Sequence, residues 1–155
     1  MRTFSPAIFL LLTAVPRFHS PIDSSLALLS SESTKGSYDI NTETSNNVLN
    51  VHYAAAPLEH TLVHHARTSN GPATISLPRT YEGAFSLRSS NISPSVVEAD
   101  RNPEDPAGQG RRRWLSIYKV KNVLTGAVYW GSEKKGEKGT VDVQTSNSPA
   151  RLVLL

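Results

Sequence analysis

The stretch TSNGPATISLPRTYEGAFSLRSSN, residues 68–91, begins and ends on nearly the same polar tripeptide and carries two short apolar runs between the copies. The tripeptide recurs as TSNN at 44–47, TSNG at 68–71, SSNI at 89–92 and TSNS at 145–148. Successive copies lie 24, 21 and 56 residues apart, and the long interval contains a looser equivalent, LTGAVYW, whose Thr125 precedes the final copy by 20 residues. Residues 99–113, ADRNPEDPAGQGRRR, are a polar insert without an apolar period, and setting them aside brings every spacing to 20–24 residues. A fixed period of that size is the signature of a repeat architecture.

Each copy predicts a strand, a tight turn and a second strand. Asn and Gly accept the positive φ that short turns demand, and Ser and Thr bond to nearby backbone amides, so Asn46, Asn70, Gly71, Asn91 and Asn147 are the expected turn residues. The flanks alternate with period two: Val141 and Val143 enter one turn, and Ile75 and Leu77 leave another. Pro78 is expected to end a strand and Gly83 to permit a corner before Ala84, Phe85, Ser86 and Leu87 resume. Two short strands cannot bury an apolar face alone, whereas stacked copies can. The pattern therefore predicts an all-β domain from about Tyr38 to Leu154, a β-solenoid or stacked β-hairpins with coils of about 20–24 residues, the alternative being a β-sandwich.

A chain of 155 residues fits one domain, and 38% apolar residues with ten prolines and nine glycines allow a core with loose outskirts. The absence of cysteine excludes disulfides, a thiol nucleophile and a Cys-ligated zinc site. The net charge of +3 is uneven: Arg111 to Lys138 carry a local +6, leaving −3 elsewhere. Basic runs beside glycines read as solvated loops, and RRR at 111–113 stands in no nucleic-acid-binding signature, so no nucleic-acid partner is expected. The apolar run at 7–15 after Arg2 has the length of a signal-peptide core and is too short for a transmembrane span. It is flanked by Pro6 and Pro16, and no small-x-small cleavage site occurs before Ser25 and Ala27, which favours a cytoplasmic location over secretion. Residues 1–34 are thus read as a flexible segment, an apolar leader and candidate signal peptide followed by a disordered Ser-rich linker. Residues 35–155 are read as the β-repeat domain with its insert at 99–113.

KGSYDI at 35–40, TSNGPATISLPRTYEGAFSL at 68–87, LTGAVYWG at 124–131 and GTVDVQTSNSPARLVLL at 139–155 together cover most of the chain after residue 35. On these motifs the sequence resembles an uncharacterised domain of mushroom-forming (basidiomycete) fungi, related in style to bacterial adhesin-type β-repeat domains. Leu77, Pro78, Arg79, Tyr81 and Gly83 look like that family's apolar-Pro-Arg-x-aromatic-x-Gly corner. The resemblance implies a fold and a lineage, and brings no catalytic residue, cofactor or ligand with it.

The remaining chemistry is sparse. His60, His64 and His65, with His52 upstream, form the densest histidine stretch, but the spacing lacks the HExxH glutamate. They are expected to be exposed strand-edge residues and to bind no metal. Glu82, Asp100, Glu104 and Asp105 are the carboxylates available for acid–base work, and three of them lie in the insert, which as a mobile loop would not hold them in register. Asn91 and Ser93 form an N-x-S sequon weakened by the following Pro94, and Asn91 is read instead as a repeat turn residue. Trp114, Tyr118, Tyr129 and Trp130 share the basic third of the chain and are the candidate ligand surface, since aromatic faces beside cations stack on sugars. The preferred reading places Tyr118, Val120, Val128 and Trp130 in the core or on a sheet face by period two, since aromatics are enriched in strands. The sequence is read as a non-enzymatic structural or interaction module needing no cofactor, its partner a protein or a cell-wall glycan. The alternative is an extracellular adhesin-like or carbohydrate-binding protein, and an enzyme acting on polysaccharides ranks third.

Overall fold

The computed structural model describes residues 12–14, 21–29, 36–131 and 138–155. Within them lie β1 (Leu12–Ala14), β2 (Ile22–Ala27), β3 (Gly36–Thr44), β4 (Leu49–Ala55), β5 (His60–Thr68), β6 (Ala73–Leu77), β7 (Gly83–Ser89), β8 (Ser95–Glu98), β9 (Arg113–Val120), β10 (Val123–Trp130), β11 (Gly139–Thr145) and β12 (Ala150–Leu154). The described residues contain no helix. Seven strands form one sheet in the order β1-β3-β5-β11-β7-β10-β9, and five form another in the order β2-β4-β6-β12-β8. The sheets face each other across one core and neither closes into a barrel.

Alternation builds both layers. In β5 the residues His60, Leu62, His64, Ala66 and Thr68 are buried while Thr61, His65 and Arg67 face outward, and β7 and β11 repeat the pattern. Parallel neighbours need a crossover connection. Here the crossover is a strand of the opposite sheet: β3 runs into β4, which leads back to β5 at the side of β3. From β1 to β9, and again from β11 to β12, consecutive strands therefore fall in different sheets, and the polar tripeptides are arches between layers, not hairpin turns. Inward residues stack in rows, with Val51, Ile75, Leu152 and Val96 along one sheet and Ile40, His64, Val141 and Phe85 along the other.

Three expectations change. Thr125 is no turn residue: it lies inside β10 opposite Tyr118, in an antiparallel β9–β10 hairpin whose two-residue turn is Lys121 and Asn122. The last tripeptide copy does not close the stack, because β11 and β12 insert between β5 and β7 and between β6 and β8. The division at 34/35 does not separate the sheets, since β1 pairs with β3 and β2 with β4, both in parallel. The rest of the expected flexible leader and linker, residues 1–11, 15–20 and 30–34, lies outside the described residues.

The tripeptides work by stacking. The non-glycine residue at positive φ among those described is Lys121, so neither the four asparagines nor Gly71 serves through left-handed backbone. Instead Asn70 Nδ2 donates to Asn46 Oδ1 (2.7 Å), Asn147 Nδ2 to Asn70 Oδ1 (2.8 Å) and Asn91 Nδ2 to Asn147 Oδ1 (2.7 Å). The ladder runs 46, 70, 147, 91, the order of the strands in space. Beneath it Thr44, Thr68, Thr145 and Ser89 are buried. Thr68 Oγ1 accepts from Gly71 N (3.2 Å) and Ser89 Oγ from Ile92 N (3.3 Å), which satisfies amides at the arches. Gly71 is required by proximity, because a Cβ there would sit 1.9 Å from the Asn47 carbonyl oxygen. At the opposite end β6 stops at Leu77 before Pro78, and β7 starts at Gly83. Tyr81 is buried in that corner and donates to Ala84 O (2.6 Å).

Replacing Gly71 by Ala forces two backbones apart and is expected to cost about 3 kcal/mol. Asn70→Ala removes exposed hydrogen bonds only and should cost about 1 kcal/mol. Urea denaturation of both variants at unchanged m-value measures the difference.

Candidate functional site

The histidines do not converge. His52 and His65 face outward, whereas His60 and His64 are buried on β5, a central strand, which corrects the expectation of exposed edge positions. Their side lies inside because the five-stranded sheet covers it. His64 is 0% exposed, with Thr42 Oγ1 3.0 Å from Nε2 and Tyr53 Oη 2.9 Å from Nδ1. Thr42 and His64 belong to the seven-stranded sheet and Tyr53 to the other, so the imidazole ties the layers together. Burial pushes the His64 pKa down to about 4, with the neighbouring His65 acting in the same direction. The ring is therefore neutral at pH 7. His60 donates from Nδ1 to Pro57 O (2.7 Å), and burial lowers its pKa as well. No group of three or more His, Cys, Asp or Glu among the described residues is placed to hold a metal ion.

Carboxylates do gather at the corner end. A pocket of about 240 Å³ is lined by Thr80, Glu82, Gln109, Arg111, Trp130 and Lys138, among others. Glu82 pairs with Lys138, lies 3.9 Å from Arg111, and accepts from Trp130 N (3.3 Å). Asp105 is the organiser of the insert, which is not the loose loop expected. Its carboxylate accepts from the amides of Ala107, Gln109 and Arg111 (each 3.0 Å) and, in bidentate fashion, from Arg111 Nε (3.0 Å) and Nη2 (2.8 Å). The Arg111 guanidinium, followed by these amides, holds the Asp105 carboxyl well below the usual carboxylate range. Asp100 accepts from Asn102 N (3.0 Å) within the insert, and Glu104 is exposed. Glu82 and Asp105 thus meet the same guanidinium.

The four aromatic residues divide. Trp130 is 5% exposed, with Nε1 donating to Arg79 O (3.0 Å), so it leaves the candidate ligand surface. Its side of β10, with Leu124 and Val128, faces the core. Tyr129 then faces outward, and its cross-strand partner Trp114 with it. Tyr118 shares that side of β9. Trp114 is 52% exposed, Tyr118 70%, Val120 48% and, on the inner side, Ile117 50%. Ile117 is open because the five-stranded sheet ends at β8, two strands short of β9. Among the described residues β9 pairs with β10 alone, so it is a sheet edge. Neither Ile117 nor Lys121 is marked by the sequence pattern. The usable signal was the two-residue gap between the alternating runs RWLSIYKV and VLTGAVYW, obscured by a lysine where a hairpin turn usually has glycine.

No family model matches the sequence, and no curated protein matches it. Among solved structures, the chain is similar to a Clostridium sporogenes protein proposed to act in cell adhesion, with 10% sequence identity and a TM-score of 0.40. The similarity covers 84% of this chain and 53% of that one, so the chain spans about half the length of that structure.

Two outcomes follow from the buried groups. The unfolded His64 ring protonates near 6.5 and the folded ring only near 4, so acid favours the unfolded chain and stability falls between those values. The expected loss from pH 7 to pH 4 attributable to this ring is about 3 kcal/mol, and His64→Gln should flatten that part of the urea-midpoint profile. Asp105→Ala should release the insert, read as faster hydrogen exchange at the amides of 107, 109 and 111 with the strands' protection retained.

Proposed function

We propose that this chain is a non-catalytic interaction module that meets its partners through the β9–β10 hairpin. The observation that carries the reading is the run of Trp114, Ile117, Tyr118 and Val120, exposed together on one edge strand. Other large apolar side chains that reach solvent, such as Leu29 and Leu58, lie elsewhere on the chain, and scattered exposure of that kind is ordinary. Large apolar residues exposed on both sides of one edge strand mark a contact surface. The engagement of Glu82 and Asp105 by Arg111 and Lys138 supports the absence of catalysis, since general acid–base work needs carboxylates free to exchange protons.

We further read β3–β4, β5–β6, β11–β12 and β7–β8 as four coils of a β-solenoid, the latest in sequence interleaved between earlier ones. The parallel pairing and the asparagine ladder support this winding. A cytoplasmic location is supported by β2, because cleavage near Ser25 and Ala27 would cut through a strand paired with β4. The fungal lineage is proposed on the Leu77–Gly83 corner.

A second reading, an adhesin-like protein binding glycans, is favoured by Trp114, Tyr118 and Tyr129 sharing one outward side. One experiment separates the two. A photoreactive residue at 118 is expected to crosslink protein in the native host, while one at the exposed position 67 in mid-sheet does not. Under the glycan reading the adduct is carbohydrate, and Trp114→Ala with Tyr118→Ala abolishes retention on insoluble β-glucan and chitin without lowering Tm. Equal crosslinking from 67 and 118 would reject the hairpin as the contact surface.

A further inference from the structure

We propose, resting on the interaction-module reading, that β9 receives an acidic, extended segment of a partner protein as an added β-strand. The first ground is backbone geometry. Gly131 N donates to Arg112 O (3.0 Å), and hydrogen-bonded residues alternate along an antiparallel ladder. The even-numbered residues of β9 therefore direct their N–H and C=O to β10, and the odd-numbered residues Leu115, Ile117 and Lys119 direct theirs to the open edge. The second ground is exposure on both sides of the strand. A ligand lying flat on the outer face would touch Trp114 and Tyr118 and leave Ile117 bare, whereas an added strand sends alternate side chains to each face and covers all three.

Charge selects the occupant. Arg112, Lys119 and Lys121 are exposed along the strand and its turn, while of the acidic residues near its start Glu98 pairs with Arg113 (3.0 Å) and the Asp100 carboxylate accepts from Asn102 N (3.0 Å). Lys121 holds φ at +50°, a left-handed conformation that crowds the Cβ of a non-glycine residue. A lysine thus stands at the hairpin tip where glycine would be easier. A second copy is disfavoured by like charges: antiparallel self-pairing centred on Ser116 would set Arg113 of each copy against Lys119 of the other, and centred on Ile117 against Lys121, and like charges directly opposed destabilise a sheet. Basic residues on an edge repel the chain's own copies and leave the edge open to an acidic strand. The fitting segment alternates apolar residues, over the Trp114–Tyr118 side, with acidic ones, over the Ile117–Lys119 side.

The test uses the full chain and a fluorescein-labelled ten-residue peptide alternating valine and glutamate, followed by anisotropy. Saturable binding is expected, weakened at least tenfold when salt is raised from about 0.05 to 0.5 M, lost when the peptide is N-methylated throughout, and absent for a valine–lysine peptide. Ile117→Pro removes an outward donor without touching the β10 ladder and should abolish binding. Lys119→Glu combined with Lys121→Gly should weaken binding at least tenfold, which keeps the test decisive if the proline variant fails to fold. Binding that survives N-methylation overturns strand addition while leaving the hairpin as the contact surface. Absence of binding by the valine–glutamate peptide overturns the proposal, as does a dimer in sedimentation that Ile117→Pro converts to monomer. Failure of the interaction-module reading itself shows separately, in the crosslinking at position 118.

Discussion

In-register parallel stacking is the constraint on which the rest of this molecule depends. Neighbouring strands lie about 4.8 Å apart, so equivalent positions in adjacent layers must tolerate each other at that distance along the whole stack. The arches meet the demand with a side chain that can donate to one neighbour and accept from the other, which asparagine does at 70 and 147, while Asn46 accepts and Asn91 donates at the two ends of the ladder. Where the backbones come closer still, at Gly71 over Asn47, only a hydrogen fits in place of the side chain. The inward rows meet it with aliphatic residues at like positions, as in Val51, Ile75, Leu152 and Val96, and at Gly139 a Cβ would sit 2.5 Å from the Leu62 carbonyl oxygen.

The same constraint explains the polar character of an otherwise apolar interior. Near the arches each layer ends inward in a hydroxyl, Thr44, Thr68, Thr145 or Ser89, and buried hydroxyls of Thr68 and Ser89 serve backbone amides that the turning chain would leave unpaired. His64 solves a related problem across the core. It occupies a row otherwise filled by Ile40, Val141 and Phe85, and it is tolerated because Thr42 and Tyr53 satisfy both ring nitrogens in the neutral state.

Much of this was legible in the residues. Period-two alternation and four near-identical tripeptides locate strands and arches, because burial on one face and polar stacking at the turn leave local marks. The position of 145–148 between 68–71 and 89–92 was not legible, since parallel pairing is made between distant segments and spacing along the chain carries no record of it. The contrast between Trp114 and Trp130 was equally hidden. Both sit in strands of similar composition, and the contrast turns on the side of the sheet each takes: Trp130 shares the core side of β10 with Leu124 and Val128, whereas Trp114 stands on the outward side of β9. The histidines show the converse: alternation placed His60 and His64 on one side, but which side was inward depended on β4 and β6.

The interleaving of β11 and β12 bears on how the chain reaches this state. β5 and β7, separated in sequence by the arch, β6 and the corner, do not touch as neighbours; the strand between them belongs to residues 139–145. A ribosome-bound chain can therefore wind its early layers but cannot join them into continuous sheets until residues near 154 have emerged. Contacts of such long sequence separation form slowly and late. During that interval the facing edges of β5 and β7 have no strand of their own to pair with, so synthesis itself opens a window in which this protein needs protection from its own copies.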